Sequence, residues 1–373
     1  MVSKKVMIGG AVLVVLAGGA YALSASHTSA SKNDFSLAMV SDEGGNISDH
    51  SFTEISWKGV KSWGESHDLK KGKGGYDYFL SKTQADFDTN FQQAQAAKFS
   101  MIAGIGFNLQ NSLEKAAKQN PDTKYALVDA QANPKLKNVT SLMFKSEQSS
   151  YLAGVAAAMQ AKAEGTDTIG FIGGQYGPVV GRFEYGFRQG VASVNKNMKV
   201  SSIYAASYSD AAKGTLIANT MMAKNIKVIF HVAGGVGNGA FTAVKSHNQA
   251  LKSDQLAKEK VWMIGVDIDQ TPQGAYKTAD GKKDNFTLTS SLTEVGNGLK
   301  NAANDAMKDK FQGGKTVWYG IKDGGVGVIT SNMPADEKKA VTADQKKIED
   351  GSISLKYTGQ YDAPKANRTS LTN

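Results

Sequence analysis

Cysteine is absent from this 373-residue chain, and proline is scarce, with six residues against forty glycines. The missing thiols exclude disulfides, cysteine nucleophiles and thiolate metal sites, and their absence fits an exported protein that avoids oxidation. Few prolines and many glycines indicate tight strand-to-helix turns. Basic residues exceed acidic ones by nine, yet the lysines are scattered and form no arginine-rich block, so we expect no nucleic-acid-binding surface.

Catalytic signatures are also missing. The chain has no Gly-x-Ser-x-Gly elbow, no Walker loop and no His-Glu-x-x-His pair. Its five histidines lack metal-ligand spacing, and His231 has no sequence partner that would tune it as a general base. Asp267 and Asp269 remain as an acidic pair for a nucleoside or sugar hydrolase, with a turn-forming pair as the alternative. We therefore expect a protein that is not an enzyme and that uses no cofactor and no metal.

The chain begins with a segment typical of export. Lys4 and Lys5 precede an uncharged stretch over residues 6–23, in the order of a secretory signal. The residues before Gly19 would form a lipoprotein processing box if a cysteine stood at that position, so the box is incomplete. Either the signal is cleaved to give a secreted protein, or it is kept as an anchor on the outer face of the cell membrane, which we favour. Residues 24–33 are typical of a tether.

Short apolar runs alternate with longer stretches at helical spacing from residue 34 onwards. This pattern indicates repeated strand–helix units and a parallel sheet. Two series of similar size predict two doubly wound α/β lobes joined by a hinge. The predicted boundaries are a signal or anchor segment and tether over 1–33, a first lobe over 34–145 plus about 268–312, a second lobe over 146–267 plus about 313–362, and a tail over 363–373.

Acidic residues follow several predicted strands, at the edge where open parallel sheets bind their ligands. Asp42, Asp129 and Asp267 each come after a nearly all-apolar strand. An ionised carboxylate only accepts hydrogen bonds, so these residues suit a ligand with O–H or N–H donors, or else they cap the next turn. With two lobes facing each other, the strand-end loops would converge on a shared cleft.

Aromatic residues lie in or near the same loops. Phe52, Phe107, Phe183 and Phe230 have the ring faces needed to sandwich a planar group, with core packing as the alternative. The glycine run over 234–239 overlaps a dinucleotide fingerprint at 235–240, with Ala240 as its last residue, but the acidic ribose partner is not at the expected distance. We expect the amides of this run to receive oxygens of a neutral ligand.

These segments, in their order, resemble the basic membrane protein family, the purine-nucleoside-binding lipoproteins of bacterial ABC importers. The resemblance extends over residues 35–329. Among the matching segments are Val40-Ser41-Asp42-Glu43-Gly44-Gly45, Asp49-His50-Ser51-Phe52, Ile229-Phe230-His231-Val232-Ala233-Gly234-Gly235 and Ile264-Gly265-Val266-Asp267.

The resemblance implies a type I periplasmic-binding-protein fold, in which two lobes joined by three crossovers close on the ligand. It implies that Phe52 and Phe230 stack on the base. It also implies that the three strand-end acids accept hydrogen bonds from base or ribose, and that Gly234 and Gly235 lie against the ligand, with a backbone contact from Gly235.

The chain departs from the family at two positions of the implied site. Family members usually carry asparagine where Thr53 stands and lysine where Thr293 stands, so the preferred base stays open. The sequence predicts an exported solute-binding protein that delivers a nucleoside, by resemblance a purine nucleoside, to a separate ABC permease and ATPase. The alternative is a ligand-sensing surface protein for another small polar solute.

Overall fold

The computed structural model describes residues 35–359 and the short strand Arg368–Ser370. The predicted export segment and tether lie outside the described residues, as does most of the predicted tail. Among the described helices, none combines the length and the apolar character that crossing a bilayer requires.

Strands and helices alternate through the first part of the chain. The elements are β1 (Leu37–Glu43), α1 (Phe52–Ser66), β2 (Tyr76–Ser81), α2 (Phe87–Ala96), β3 (Met101–Ile105), α3 (Gln110–Gln119), β4 (Lys124–Val128) and β5 (Val139–Phe144). Strand β3 is buried at every position, which explains why its sequence is an unbroken apolar run with no polar face. The helices instead bury one stripe, as α3 does with Leu113, Ala116 and Ala117.

The alternation continues in the second part of the chain. Its elements are α4 (Ser146–Ala163), β6 (Thr168–Gly173), α5 (Pro178–Val194), β7 (Lys199–Tyr204), α6 (Ala211–Ala223), β8 (Val228–Val232), α7 (Gly235–Ala250), α8 (Leu256–Glu259), β9 (Trp262–Asp267), β10 (Ala275–Lys277), β11 (Lys283–Asn285), β12 (Thr287–Thr293), α9 (Val295–Met307), β13 (Thr316–Tyr319), β14 (Val326–Val328), α10 (Ala335–Glu349) and β15 (Arg368–Ser370).

Two sheets organise these elements into two lobes. The strand order is β13-β5-β4-β3-β1-β2 in the first sheet and β14-β12-β9-β8-β6-β7-β15 in the second. When the two strand orders are aligned from their first strands, the first six positions correspond, so that β6 matches β1 and β9 matches β4. Within these two sheets, neighbouring strands run parallel except for β12 and β14, which are antiparallel. Strands β10 and β11 form a separate antiparallel pair. The predicted α/β fold with two doubly wound parallel sheets is confirmed.

The chain passes between the lobes three times within residues 35–359. It leaves the first sheet after β5, returns after β12 to α9, which packs against α1, and crosses again between β13 and β14. These pairings differ from the predicted segments. Strand β12 belongs to the second sheet, although the sequence pattern places about 268–312 in the first lobe. Strand β13 belongs to the first sheet, although the pattern places about 313–362 in the second lobe. Strand β13 forms the edge of its sheet and β12 lies next to the edge strand β14, and a local pattern does not identify which sheet such a strand joins.

Candidate functional site

The carboxyl ends of the two sheets face a common cleft. The loops after β1, β3 and β4 border it from the first lobe, and the loops after β7, β8 and β9 border it from the second. Helices α1 and α5 begin beside it. The cleft holds about 800 Å³ of empty space, with solvent at its mouth included.

Ten of the eleven residues predicted to bind a ligand border this cleft. They are Asp42, Phe52, Thr53, Phe107, Asp129, Phe183, Gly234, Gly235, Asp267 and Thr293. The ends of the predicted strands therefore meet at this cleft, while contact of these residues with a ligand stays a prediction.

Phe230 does not border the cleft, and its predicted stacking on a base is wrong for this structure. Its side chain is fully buried, with ring centroids 5.0 Å from Phe187 and 5.6 Å from Phe171. Phe230 precedes the end of β8 at Val232 by two residues, which places it about 7 Å deeper along the strand. Phe230 therefore belongs to the core beneath the cleft.

Tyr208 supplies a ring to the cleft that the sequence analysis missed. It lies in the loop between β7 and α6, a segment without periodicity, and its backbone oxygen accepts a hydrogen bond of 2.8 Å from the N–H of Gly235. Burial, with the nearby negative charge of Asp42, raises the pKa of the Tyr208 hydroxyl, which keeps it protonated as a donor. Four aromatic rings therefore border the cleft, from Tyr208 and from three predicted phenylalanines.

Asp42 is held in place by the protein itself. Its carboxylate accepts a hydrogen bond of 2.7 Å from the N–H of Glu43 and two from the amide of Asn108, at 3.1 and 3.2 Å. Burial raises the pKa of Asp42 to about 6, and these hydrogen bonds limit the rise. Gly106 lies against it with φ of 117°, and a Cβ there would come within 2.6 Å of Oδ2, so this position requires glycine.

Asp129 and Asp267 are less well satisfied than Asp42. Burial raises the pKa of Asp129 to about 7, with a further contribution from the negative charge of Asp267. Burial also raises the pKa of Asp267 to about 7, and the neighbouring Thr293 hydroxyl limits that rise. Within the described residues, no group donates a hydrogen bond to the Asp129 carboxyl, so a ligand with O–H or N–H groups would supply what the protein does not.

The cleft is acidic as a whole. Glu43 and Asp49 border it besides the three predicted aspartates, and the described lining contains no lysine, arginine or histidine. Arg182, whose charge lowers the pKa of Asp129, lies outside this lining and pairs with Glu147 at 3.0 Å. A phosphate would therefore meet mainly like charges, whereas a neutral group rich in donors would meet acceptors. This arrangement argues against a nucleotide and favours an uncharged or cationic solute.

The glycine run at the start of α7 has a packing explanation. Gly237 lies against the buried ring of His231, and a Cβ at this position would come within 1.9 Å of the ring nitrogen Nδ1. Gly239 allows close approach to α6, where a Cβ would come within 1.9 Å of the Ala211 carbonyl oxygen. The partial dinucleotide fingerprint thus reflects helix and strand packing, and only Gly234 and Gly235 of the run border the cleft.

The remaining catalytic candidates are separated from one another. Asp269 is exposed and accepts a hydrogen bond of 2.9 Å from the N–H of Thr271, which is the turn-forming alternative, while Asp267 borders the cleft. His231 is buried and lies 2.8 Å from the Gln270 amide oxygen through Nε2, and burial lowers its pKa to about 4. A neutral imidazole in this position is a core group.

Comparisons with known proteins agree with this geometry. The model of the Bmp family, described as ABC transporter substrate-binding protein PnrA-like, matches residues 35–358. The ABC transporter nucleoside-binding protein BmpA of Lactococcus lactis is 43% identical over 343 residues, which is 92% of this chain and 95% of the relative. The CD4+ T-cell-stimulating antigen of Listeria monocytogenes is 38% identical over 87% of this chain and 89% of its own length. A solute-binding protein of an ABC transporter system from Aeropyrum pernix has the same fold, with a TM-score of 0.71 and 24% identity over 88% of this chain and 94% of its own.

Proposed function

The chain belongs to the Bmp family of PnrA-like ABC transporter substrate-binding proteins, and from this premise we propose that it captures a nucleoside between its two lobes. Substrate-binding proteins of this class work outside the cytoplasm, where they collect the solute that an ABC transporter imports. The similarity to the nucleoside-binding BmpA of Lactococcus lactis supports a nucleoside as the ligand.

The observation that carries the proposal is the combination of aromatic rings and carboxyls in one cleft. A nucleoside has a flat base, which suits the rings of Phe52 and Tyr208, and a ribose with O–H donors, which suits Asp129 and Asp267. Sugars have the donors but lack the flat ring, and nucleotides add phosphates that this acidic lining repels. Purine nucleosides are the proposed members of this class, since the larger base offers more surface for stacking.

Thr53 and Thr293 are proposed to shape the choice of base. Both are buried at the cleft, in the first turn of α1 and at the end of β12. A threonine hydroxyl offers one donor and accepts hydrogen bonds, so each gives a shorter and uncharged contact than asparagine or lysine would. Their location at the cleft supports a role in selectivity.

We further propose that the chain delivers its ligand to a separate permease and ATPase and performs no chemistry on it. The separation of Asp269 from the cleft and the neutral, buried state of His231 support simple binding. Anchoring of the protein to the outer face of the membrane through its N-terminal segment is part of the same proposal, on the basis of the charge and apolar pattern of residues 4–23.

A thermal-shift screen with adenosine, guanosine, inosine, uridine, cytidine, ribose and adenosine monophosphate tests the proposal. A nucleoside that binds the folded protein raises the melting temperature in a concentration-dependent manner. We expect a shift with at least one purine nucleoside and none with ribose or adenosine monophosphate. No shift with any nucleoside would contradict the proposed ligand class, and release of free base after incubation would contradict the proposal of simple binding.

A further inference from the structure

Two hydrogen bonds cross the mouth of the cleft between the lobes. Gln175, in the loop after β6, donates from Nε2 to Oε1 of Glu43 at 2.8 Å. Asn238, in the first turns of α7, donates from Nδ2 to the backbone oxygen of Asp49 at 2.7 Å. Both donors belong to the second lobe. Both acceptors belong to one stretch of the first lobe, the acceptor loop, which comprises Glu43 at the end of β1 and the segment from there to α1.

The acceptor loop leads directly into residues proposed to bind the ligand. Glu43 follows Asp42, and Asp49 precedes Phe52 by three residues, so the loop is fastened near both of its ends. Glu43 and Asp49 border the cleft, whereas Gln175 and Asn238 do not. The two amides therefore do not contact the ligand site and affect it only through the loop to which they are bonded.

These contacts lie far from the crossovers, where rotation of the lobes moves groups the most. The crossovers leave the lobes beside β5 and β12, and β1 is three strands away from β5 in the first sheet. At the usual spacing of neighbouring strands this is about 14 Å from the crossover side. Rotation of the lobes about the crossovers separates groups at the mouth more than groups near β5, so these two hydrogen bonds break on opening.

The burial of Asn238 also indicates a role in closure. Its amide oxygen Oδ1 is buried and has no hydrogen-bond partner among the described residues, while Nδ2 is bonded to Asp49. A half-satisfied buried amide offsets part of the gain from its one hydrogen bond. The contact therefore holds the closed form only weakly, which leaves the ligand to provide the rest of the closing free energy.

We propose that Gln175 and Asn238 are positioning residues that set how long the closed protein retains its ligand. The inference rests on the proposed function, because it takes the ligand to lie in this cleft. Loss of either amide leaves the ligand contacts intact and removes a contact that forms only after the lobes meet. Dissociation therefore becomes faster, while association, which occurs in the open form, changes little.

Stopped-flow kinetics on the full chain test this inference, with the nucleoside of largest thermal shift as the probe. We expect Gln175→Ala and Asn238→Ala each to raise the dissociation rate constant by about tenfold, with the association rate constant unchanged within about twofold. The matched controls are Gln189→Ala and Asn219→Ala, which remove exposed amides on α5 and α6 of the same lobe. Unchanged dissociation in both mouth variants would overturn the proposal.

A charge exchange separates the contact from general damage to the fold. Gln175→Glu places two carboxylates opposite each other and should accelerate dissociation more than Gln175→Ala does. In the double variant Glu43→Gln/Gln175→Glu the donor and the acceptor exchange places, so the hydrogen bond can form again. Dissociation should therefore be slower than the combined effects of the two single substitutions predict. Additive effects of the two changes would contradict a direct contact.

A readout without ligand distinguishes failure of this inference from failure of the proposed function. Because the chain has no cysteine, Ala85→Cys and Ala212→Cys give two spin-label sites, both exposed, one on each lobe. In the ligand-free protein the closed form is the minor population, and the label-to-label distances of the double variant Gln175→Ala/Asn238→Ala should shift toward the longer, open distances as that population shrinks. Longer distances in a protein that binds no nucleoside would support the contact and refute the ligand. Nucleoside binding with unchanged label distances and an unchanged dissociation rate constant would support the ligand and refute the role of the contact.

Discussion

Asp129 and Asp267 occupy equivalent positions in the two lobes. Asp129 directly follows β4, Asp267 is the last residue of β9, and these strands hold the same place in the two sheet orders. Both residues have left-handed backbone conformations, with φ of 62° and 67°. Aspartate tolerates this region better than most residues, so the same turn at the end of each strand brings a carboxyl to the cleft from either side.

Replacing either of these acids with its amide should stabilise the ligand-free protein and weaken ligand binding. The folded-state pKa of each is raised from 3.8 to about 7, so ionisation disfavours the folded form at neutral pH. Asp129→Asn and Asp267→Asn should therefore each increase the free energy of unfolding at pH 8, by about 4 kcal/mol at most. Urea unfolding at pH 8 measures this gain, and calorimetric titration measures the loss of affinity. Lower stability of both variants would contradict the buried-charge argument.

The stability of the ligand-free protein should fall as pH rises. A carboxyl whose folded-state pKa is raised binds more protons in the folded than in the unfolded state between the two pKa values. For Asp129 and Asp267 this window extends from about pH 4 to about pH 7, and Asp42 adds a narrower one up to about pH 6. Melting temperatures from pH 5 to pH 8 should decline, and the double variant Asp129→Asn/Asp267→Asn should flatten the decline.

Ligand affinity should show the opposite dependence on pH. A neutral nucleoside that donates hydrogen bonds to Asp129 and Asp267 binds better when both are ionised, so protonation competes with binding. The dissociation constant should rise as pH falls through about 7, by up to about tenfold per pH unit for each group. Titrations at constant ionic strength between pH 5 and pH 8.5 measure this dependence. Affinity that increases toward low pH would indicate that the acids bind as protonated donors.

Substitution of aromatic residues should distinguish rings that border the cleft from rings that belong to the core. Tyr208→Ala and Phe52→Ala remove cleft walls and should weaken nucleoside binding by about tenfold or more, with a small change in melting temperature. Phe230→Ala removes a fully buried ring and should lower the free energy of unfolding by about 3–5 kcal/mol. Tyr208→Phe keeps the aromatic ring and should retain most of the affinity for the nucleoside. Strong loss of binding with intact stability in a Phe230→Leu variant would restore the stacking role implied by family resemblance.

Gly237→Ala should destabilise the second lobe. Its new Cβ would lie 1.9 Å from Nδ1 of His231, and that ring is fixed by Gln270. Relief requires movement of α7 or of the buried ring, at a typical cost of about 1–3 kcal/mol. Gly327→Ala on β14 is the control, because no atom lies within 4 Å of a Cβ there. Equal melting temperatures of the two variants would contradict the packing explanation of the glycine run.

The sequence predicted the site well wherever the argument depended on strand ends. Asp42, Asp129 and Asp267 border the cleft because parallel strands direct their carboxyl ends to one edge, a rule that requires no knowledge of contacts. The predicted stacking role of Phe230 was wrong because family resemblance assigned the ring to the site from its sequence motif. The depth of Phe230 along β8 instead depends on where the strand ends. Tyr208 was missed because its loop carries no periodic pattern. The lobe assignment of β12 and β13 depended on pairing over long sequence distances, which local patterns do not encode.

The pairing of Asp129 and Asp267 across the lobes has a consequence for the transport cycle. When both are ionised and no donor lies between them, their repulsion favours separation of the lobes, since one charge is attached to each. A bound solute with O–H groups offsets this repulsion, and its departure restores it. The acids proposed to hold the cargo would therefore also return the emptied protein to a form that can accept the next molecule.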